Sequence, residues 1–312
     1  MKLLSVVIPA YNEERIISDS AARVVKVLQE IKKTKFINNY EIIFVDDGSI
    51  DETWYLIKNL HNKNSKIVGI SLSRNFGLES ALMAGLRKSR GDYTVMIDCD
   101  LQDPPELIKE MLIKLQITHS DVVYGKRTSR SEASHKQWLF KLFHYIFHMI
   151  SSNKSPQNVG NFSLMNRRAL NALLSFKEKS KYLPGLRYLI GFKQTSISYK
   201  RDIRKDGPAK MSSAKLMQLA LDALYSFTDL PLKFCFYLGL LGTTISILIG
   251  MYALITRLFN YNVTVGWSST LLSIYFFGSV QLIFLGVIGQ YIYKIYIEVQ
   301  NRPTYFVSEE LD

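Results

Sequence analysis

Apolar and polar positions alternate in two rhythms over the first 125 residues. Short β-rich runs, "LLSVVIPA", "YEIIFVDD", "KIVGISLS", "YTVMIDCD" and "DVVYG", are separated by amphipathic stretches at about 14–33, 51–62, 77–89 and 105–117. This alternation predicts βαβ units on a mostly parallel α/β sheet. Ligands on such sheets bind at the carboxyl ends of the strands. The polar clusters fall there: Asn12 and Glu13 after the first run, Asp46 and Asp47 after the second, Arg74 and Asn75 after the third, Asp98 and Asp100 after the fourth.

The rhythm changes near residue 231. Residues 234–256 carry no charge, nor do residues 258–293. Each stretch exceeds the ~20 residues a helix needs to cross ~30 Å of hydrocarbon. Two transmembrane helices are therefore predicted, at about 232–256 and 268–293, because a core helix rarely stays uncharged on every face for this length. Lys233, Lys294 and Arg302 flank the pair, whereas the connector at 257–267 carries only Arg257. The positive-inside bias places residues 1–230 and a tail at 297–312 on the cytoplasmic side of a multi-pass membrane protein. Paired helices rich in glycine (Gly239, Gly242, Gly278, Gly286, Gly289) also allow packing between chains, a homo-oligomer.

Acids and bases balance in residues 231–312, so the whole net charge of +12 lies in residues 1–230. Anionic lipid headgroups account for that excess; no RNA- or DNA-binding module signature is present, and nucleic acid is not a predicted partner. The stretches 137–150 and 211–230 are apolar with intermittent polar positions and read as helices resting on the bilayer surface. The N-terminal "LLSVVIPAY" is too short for a signal segment. Two cysteines, Cys99 and Cys235, cannot build a disulfide framework and fit a reducing compartment.

Chemistry concentrates in "MIDCDLQDPPE", which packs Asp98, Asp100, Asp103 and Glu106 into nine positions. Alternate residues of an extended strand end share a face, so Asp98, Asp100 and Gln102 point together. Three oxygen-bearing groups on one side suit Mg²⁺ or Mn²⁺, with waters and substrate phosphates as the remaining ligands, and such a cation offsets the acidic repulsion. In "FVDDGSIDET" a strand ends at Asp46 and Asp47 and turns at Gly48; a carboxylate there can accept hydrogen bonds from a nucleotide's base or ribose. Arg74, Lys126, Arg127, Arg130, Arg201, Arg204 and Lys210 offer charge-assisted contacts to phosphate oxygens. P-loop and dinucleotide fingerprints are absent, which argues against an ordinary ATPase or dehydrogenase.

Taken together, "VVIPAYNEE", "VDDGSIDET", "SRNFG", "GDYTVMIDCDLQDPPE", "DVVYGKR" and "RKDGPAK" resemble family 2 glycosyltransferases with the GT-A (Rossmann-like) fold. The nearest subgroup is the polyprenyl-phosphate glycosyltransferases, similar to dolichol-phosphate mannosyltransferase and to bactoprenol glucosyltransferases with two C-terminal membrane helices. The resemblance implies that Pro9, Tyr11, Glu13, Val45 and Asp47 hold the nucleoside, and that Asp98, Asp100 and Gln102 hold the metal and diphosphate. It places Arg127, Arg204 and Lys210 at the sugar-nucleotide or acceptor phosphate.

Two departures stand out. Ala209 and Met211 depart from the family's Arg-x-x-Gly-x-Ser/Thr-Lys-Tyr loop, and Asn161 in "GNFSL" replaces an acid found in many bactoprenol glucosyltransferases. Processive relatives carry Gln-x-x-Arg-Trp, which is missing here, so a single transfer is implied. The reaction implied is inverting transfer of one sugar from a nucleotide sugar, a UDP-sugar in preference to a GDP-sugar, to polyprenyl (undecaprenyl) phosphate. Rival readings are a membrane glycosyltransferase with another acceptor, or a non-catalytic protein that binds sugar nucleotides.

Overall fold

The computed structural model describes residues 2–128, 159–178, 182–200, 230–259 and 266–312. The chain divides into two compact units: one of residues 1–143, 153–209 and 302–312, the other of residues 144–152 and 210–301. Arg204, Lys210 and the stretches 137–150 and 211–229 lie outside the described residues.

In the first unit β1 (Leu3–Ala10), α1 (Ile17–Lys33), β2 (Asn39–Asp46), α2 (Thr53–Lys63), β3 (Ile67–Leu72), α3 (Leu78–Lys88), β4 (Tyr93–Met96), α4 (Leu107–Thr118) and β5 (Val122–Arg127) follow the alternation read from the sequence. They are joined by β6 (Val159–Asn166), α5 (Arg167–Ser175), α6 (Leu183–Leu189), β7 (Gln194–Tyr199) and β8 (Val307–Leu311). The strands form one sheet in the order β7-β5-β6-β4-β1-β2-β3-β8. It is mostly parallel, with β6 and β8 antiparallel to their neighbours.

Both faces of the sheet are covered, which is why β1 and β2 read as near-continuous apolar runs. Ile8, Val6 and Phe44 pack with α1, α2 and α4 on one side, while Val7, Ile43 and Val45 pack with α3, α5 and α6 on the other. In α1 the buried residues Ile17, Ala21, Val24, Leu28 and Ile31 recur at helical spacing, so a single stripe faces the sheet. Gly85 lets α3 lie close on β1: a Cβ there would stand 2.4 Å from Val7 Cγ1.

The connection order reverses between β1 and β4, which opens a crevice at their carboxyl ends. The reversed strand β6 begins where its neighbours end, so Val159–Asn161 arrive at that same edge.

Residues 297–312 are not a free tail. They finish a helix and then return to the sheet, with Gly69 opposite Leu311 and Ile70 opposite Glu310. Lys58 and Lys88 fasten the strand through Glu309 and Glu310, at 2.8 and 2.7 Å. In the second unit, α7 (Leu230–Phe259) and α8 (Trp267–Val299) cover both predicted apolar segments and extend beyond them. Among the described residues one span, Phe276–Val299, is long and apolar enough by composition to cross a membrane, and it lies further along than the 268–293 expected.

Candidate active site

Two loops build the floor of the crevice. After β1 the chain turns through Asn12, whose φ of 53° is left-handed and suits Asn. The Asn12 N–H donates to Ser49 Oγ, and its Oδ1 accepts from the Ile50 N–H, 2.9 and 3.0 Å. Glu13 N–H donates to Thr53 Oγ1 at 2.9 Å. The loop after β1 is thus stitched to the loop after β2, and Tyr11 stands on it half-exposed.

Asp46 and Asp47 are both buried. Asp46 accepts from the Ser49 N–H and the Ser71 hydroxyl, each at 3.1 Å. Asp47 accepts from the Phe76 and Gly77 N–H groups at 2.8 and 2.9 Å. Burial raises the Asp47 pKa; those two amides oppose the shift, and Asp46 adds to it. Of the adjacent acids predicted to face a nucleotide, Asp47 braces the 73–77 loop from within, and Asp46 ties the turn after β2 to Ser71 of β3. Val45 is fully buried in the core, and Pro9 beside it in register is buried too. Gly48 is required here: its φ is +65°, and a Cβ would come within 2.3 Å of the Arg74 carbonyl carbon.

The acidic run after β4 is resolved largely by the protein itself. Glu106 pairs with Arg23 through two bonds of 2.9 and 2.8 Å. Asp103, 1% exposed, accepts from Arg127 Nη2 at 3.2 Å and from the Tyr199 hydroxyl. Burial disfavours the Arg127 charge, but Asp103 and Tyr199 more than restore it and its pKa is raised; the Tyr199 hydroxyl is pushed up by burial and by Asp103. Arg127, expected at a phosphate, is thus already committed to the loop that carries the acidic motif.

Asp98 and Asp100 remain at the crevice, both partly exposed, in a turn closed by Leu101 N–H to Asp98 O at 3.2 Å. Leu101 takes a φ of 46° there. Gln102 N–H donates to Asp100 Oδ1 at 3.2 Å, and Gln102 is also partly exposed. Among the described residues no group of three or more His, Cys, Asp or Glu side chains could hold a metal alone. Two carboxylates with one amide oxygen nonetheless fit a hard divalent cation that draws its other ligands from diphosphate and water. Cys99 between them is buried and free, and burial raises its thiol pKa, so it is a packing residue.

Sequence reasoning missed a second polar cluster behind this turn. Glu79, in the first turn of α3, accepts from the Leu183 N–H and the Asn161 side chain. Burial pushes its pKa up to about 8, with Asp98 adding and Arg187 opposing. Arg187, 2% exposed, donates from Nη2 to the Gly160 carbonyl at 3.2 Å. Its guanidinium also lies over the Tyr124 ring, 5.4 Å from the centroid. Burial brings it down to about 10, against Tyr182, Tyr124 and Glu79. A signal existed in each case: Glu79 and Arg187 are single charges in the apolar runs "GLESALMAGL" and "YLPGLRYLIG".

Comparison with known proteins agrees with this architecture. The model of "Glycosyl transferase family 2" matches residues 5–174. The chain is 41% identical to an uncharacterized glycosyltransferase, sll0501, of Synechocystis sp., over 98% of this chain and 95% of that one. It is 38% identical to an SfII prophage-derived bactoprenol glucosyl transferase of Shigella flexneri, over 98% and 97%. Among solved structures, glucosyl-3-phosphoglycerate synthase from Mycobacterium tuberculosis, in complex with Mn²⁺, uridine-diphosphate and phosphoglyceric acid, shares the fold. Its TM-score is 0.50 at 18% identity, over 72% of this chain and 76% of that one. A mostly parallel α/β sheet of the GT-A type, the acidic turn at its switch point and relatives matched nearly end to end converge on one assignment: the chain belongs to glycosyl transferase family 2 and is a glycosyltransferase.

Proposed function

We propose that this glycosyltransferase moves one sugar from a nucleotide sugar, a UDP-sugar, to polyprenyl phosphate at the cytoplasmic face of a membrane, with inversion and with Mg²⁺ or Mn²⁺. The observation that carries the reading is the Asp98–Asp100 turn. Of the four acids there, Asp103 and Glu106 pair with Arg127 and Arg23, and Asp98 and Asp100 stand partly exposed at the crevice. The lipid acceptor is carried by relatives named bactoprenol glucosyl transferase that match over 98% of this chain.

On this reading Asp98, Asp100 and Gln102 hold the cation, which when bound stabilises the charge that grows on the departing diphosphate. Tyr11 and Glu13, on the open side of the β1 loop, contact the nucleoside; Pro9, Val45 and Asp47 shape that loop from beneath. Arg204 and Lys210 meet the acceptor phosphate. A phosphate monoester has a second pKa of about 6 and is mostly ionised near neutrality, so it needs positioning more than a base. Asn161 in place of an acid is compatible with that demand.

Return of the chain to the sheet as β8 supports the membrane hairpin. Residues 1–143, 153–209 and 302–312 belong to one unit, and on this reading a membrane segment between residues 209 and 302 would have to cross an even number of times. By length alone α7 and α8 would each allow one crossing, while the span that is also apolar enough among the described residues is Phe276–Val299.

The test is the purified chain in lipid with undecaprenyl phosphate and Mn²⁺ or Mg²⁺, screened against radiolabelled UDP- and GDP-sugars beside Asp100→Ala. Label entering the lipid phase from one donor, and absent in the variant, is the expected result. No transfer from any donor by the parent chain refutes the proposal.

A further inference from the structure

Phe306 is a large aromatic residue left 56% exposed, so core filling does not account for it. It stands just ahead of β8, shortly after α8 ends at Val299. β8 pairs with β3 as far as Ser71, opposite Glu309; the ladder then passes over Ser308, so that Leu72 faces Val307. A bulge of this kind re-aims the residues beside it. Beyond it the Ser73 N–H donates to the Phe306 carbonyl at 2.9 Å, and the Phe306 ring meets that of Phe76, with centroids 6.2 Å apart at 53°. The Arg74 guanidinium lies over the same Phe76 ring, 4.5 Å from its centroid. Tyr305, the preceding residue, packs against the apolar cluster that includes α3.

The 73–77 loop has need of such an anchor. Ser73, Arg74 and Asn75 are exposed, so the loop buries little apolar surface of its own to hold it in one place. Its far end is held by Asp47, which accepts from the Phe76 and Gly77 N–H groups, and its backbone at Arg74 and Asn75 lies close on Gly48. The turn that carries Asp47 and Gly48 is tied in its own right to the β1 loop, through Asn12 with Ser49 and Ile50. Phe306 therefore fixes the start of a loop whose end is built into the floor of the crevice. Loss of its ring leaves that start to solvent.

Resting on the donor reading above, we propose that Phe306 is a positioning residue for nucleotide-sugar binding: it holds the 73–77 loop, and through it the turn after β2, in the form that accepts the donor. The ring acts through the loop and touches no substrate. A loop that must be ordered at the moment of binding weakens the apparent affinity by the fraction of chains already in the competent form. Once the donor is bound the loop is in place, so the loss falls on donor Kd and KM and not on kcat.

The experiment separates affinity, turnover and stability. Full-length chain in detergent with Mn²⁺ is titrated calorimetrically with UDP, UDP-glucose, GDP and GDP-mannose, for the parent, Phe306→Ala, Phe306→Tyr and Glu309→Ala. Donor KM and kcat are read from label moved to undecaprenyl phosphate, and thermal melts establish folding. Phe306→Ala is expected to weaken binding of the preferred nucleotide about five-fold or more, the scale of one aromatic pair, and to raise donor KM equally. Its kcat should stay within about two-fold of the parent and its melting temperature within about 3 °C. Phe306→Tyr keeps the ring and should restore the affinity. Glu309→Ala loosens β8 from Lys58 and Trp54 without a contact to the loop, and should bind within about two-fold of the parent. Phe306→Leu, which keeps bulk and loses the ring, is read in the same way if Phe306→Ala fails to fold. Parent-like affinity without the ring overturns the positioning role and leaves the donor reading intact. An equal loss of affinity in Glu309→Ala, or a fall of kcat together with melting temperature, overturns it too, since the effect then belongs to docking of the strand. A parent chain that binds no nucleotide and no nucleotide sugar removes the donor reading and the role of Phe306 with it.

Discussion

Arg127 offers a test of whether its charge serves the fold or the substrate. Asp103→Asn keeps the side-chain shape and deletes the charge that Arg127 faces at 3.2 Å; the Asp103 side chain is 1% exposed and that of Arg127 19%. Breaking a buried ion pair by removing one partner costs about 3–5 kcal/mol. The partial exposure of Arg127 and the oxygen that Asn keeps for the Tyr199 hydroxyl lower that to about 2–3 kcal/mol. Arg127→Met leaves the Asp103 carboxylate buried without its cation and is expected to cost a similar amount. The double variant should recover about 1–3 kcal/mol of the summed loss, as residues in direct contact do. The assay is denaturant unfolding of the purified chain in detergent, run beside sugar transfer. If Arg127 instead serves a phosphate, Arg127→Met abolishes transfer at unchanged stability and Asp103→Asn unfolds within about 0.5 kcal/mol of the parent. That pair of results refutes the structural role.

Further outcomes follow from other contacts. Asp100→Ala should lower transfer more than about 100-fold while leaving the melting temperature nearly unchanged, since Asp100 is partly exposed and its hydrogen bond to the Gln102 amide is local; equal loss of stability and activity would count against a metal role. The Glu79 carboxyl has its folded pKa raised from 4.5 to about 8, so its contribution to stability is fully present below about pH 4.5 and is lost as pH rises toward 8. Glu79→Gln does not titrate, and in chelator its stability should gain about 1–3 kcal/mol on the parent between those limits; parallel pH profiles would contradict the burial argument. Gly48→Ala combines a left-handed backbone with the 2.3 Å approach to Arg74 and should cost about 3 kcal/mol, read by thermal melt, with transfer falling as the 73–77 loop shifts. Truncation after Asn301 removes β8 and uncovers the β3 edge, so size-exclusion chromatography should show self-association; a monodisperse truncated chain would show the edge needs no cover.

The sequence by itself determined the parts that rest on local periodicity and on motif. Runs such as "LLSVVIPA" and "YEIIFVDD" are apolar throughout because both faces of their strands are covered, and the pattern states this without coordinates. The stripe of α1 and the two long helices with uncharged middles are legible for the same reason. Asp98 and Asp100 stood out because two acids ending a strand at a switch point have few structural uses.

Tertiary structure decided everything that depends on which distant residue reaches a given side chain. Asp103 and Asp100 look equivalent in sequence, yet Arg127 and Tyr199, from β5 and β7, neutralise only Asp103 among the described contacts. Asp47 reads as a ligand in the sequence, and the structure adds that the loop after β3 folds back to offer it two amides. The last residues look like a tail and are a strand, because a free β3 edge lies within their reach. Glu79, Asn161 and Arg187 are far apart in sequence and meet only because β6 runs against its neighbours and starts at the crevice. Sequence carries the short-range rules of helix, strand and turn; pairing across the fold is set by the sheet order, which no local pattern encodes.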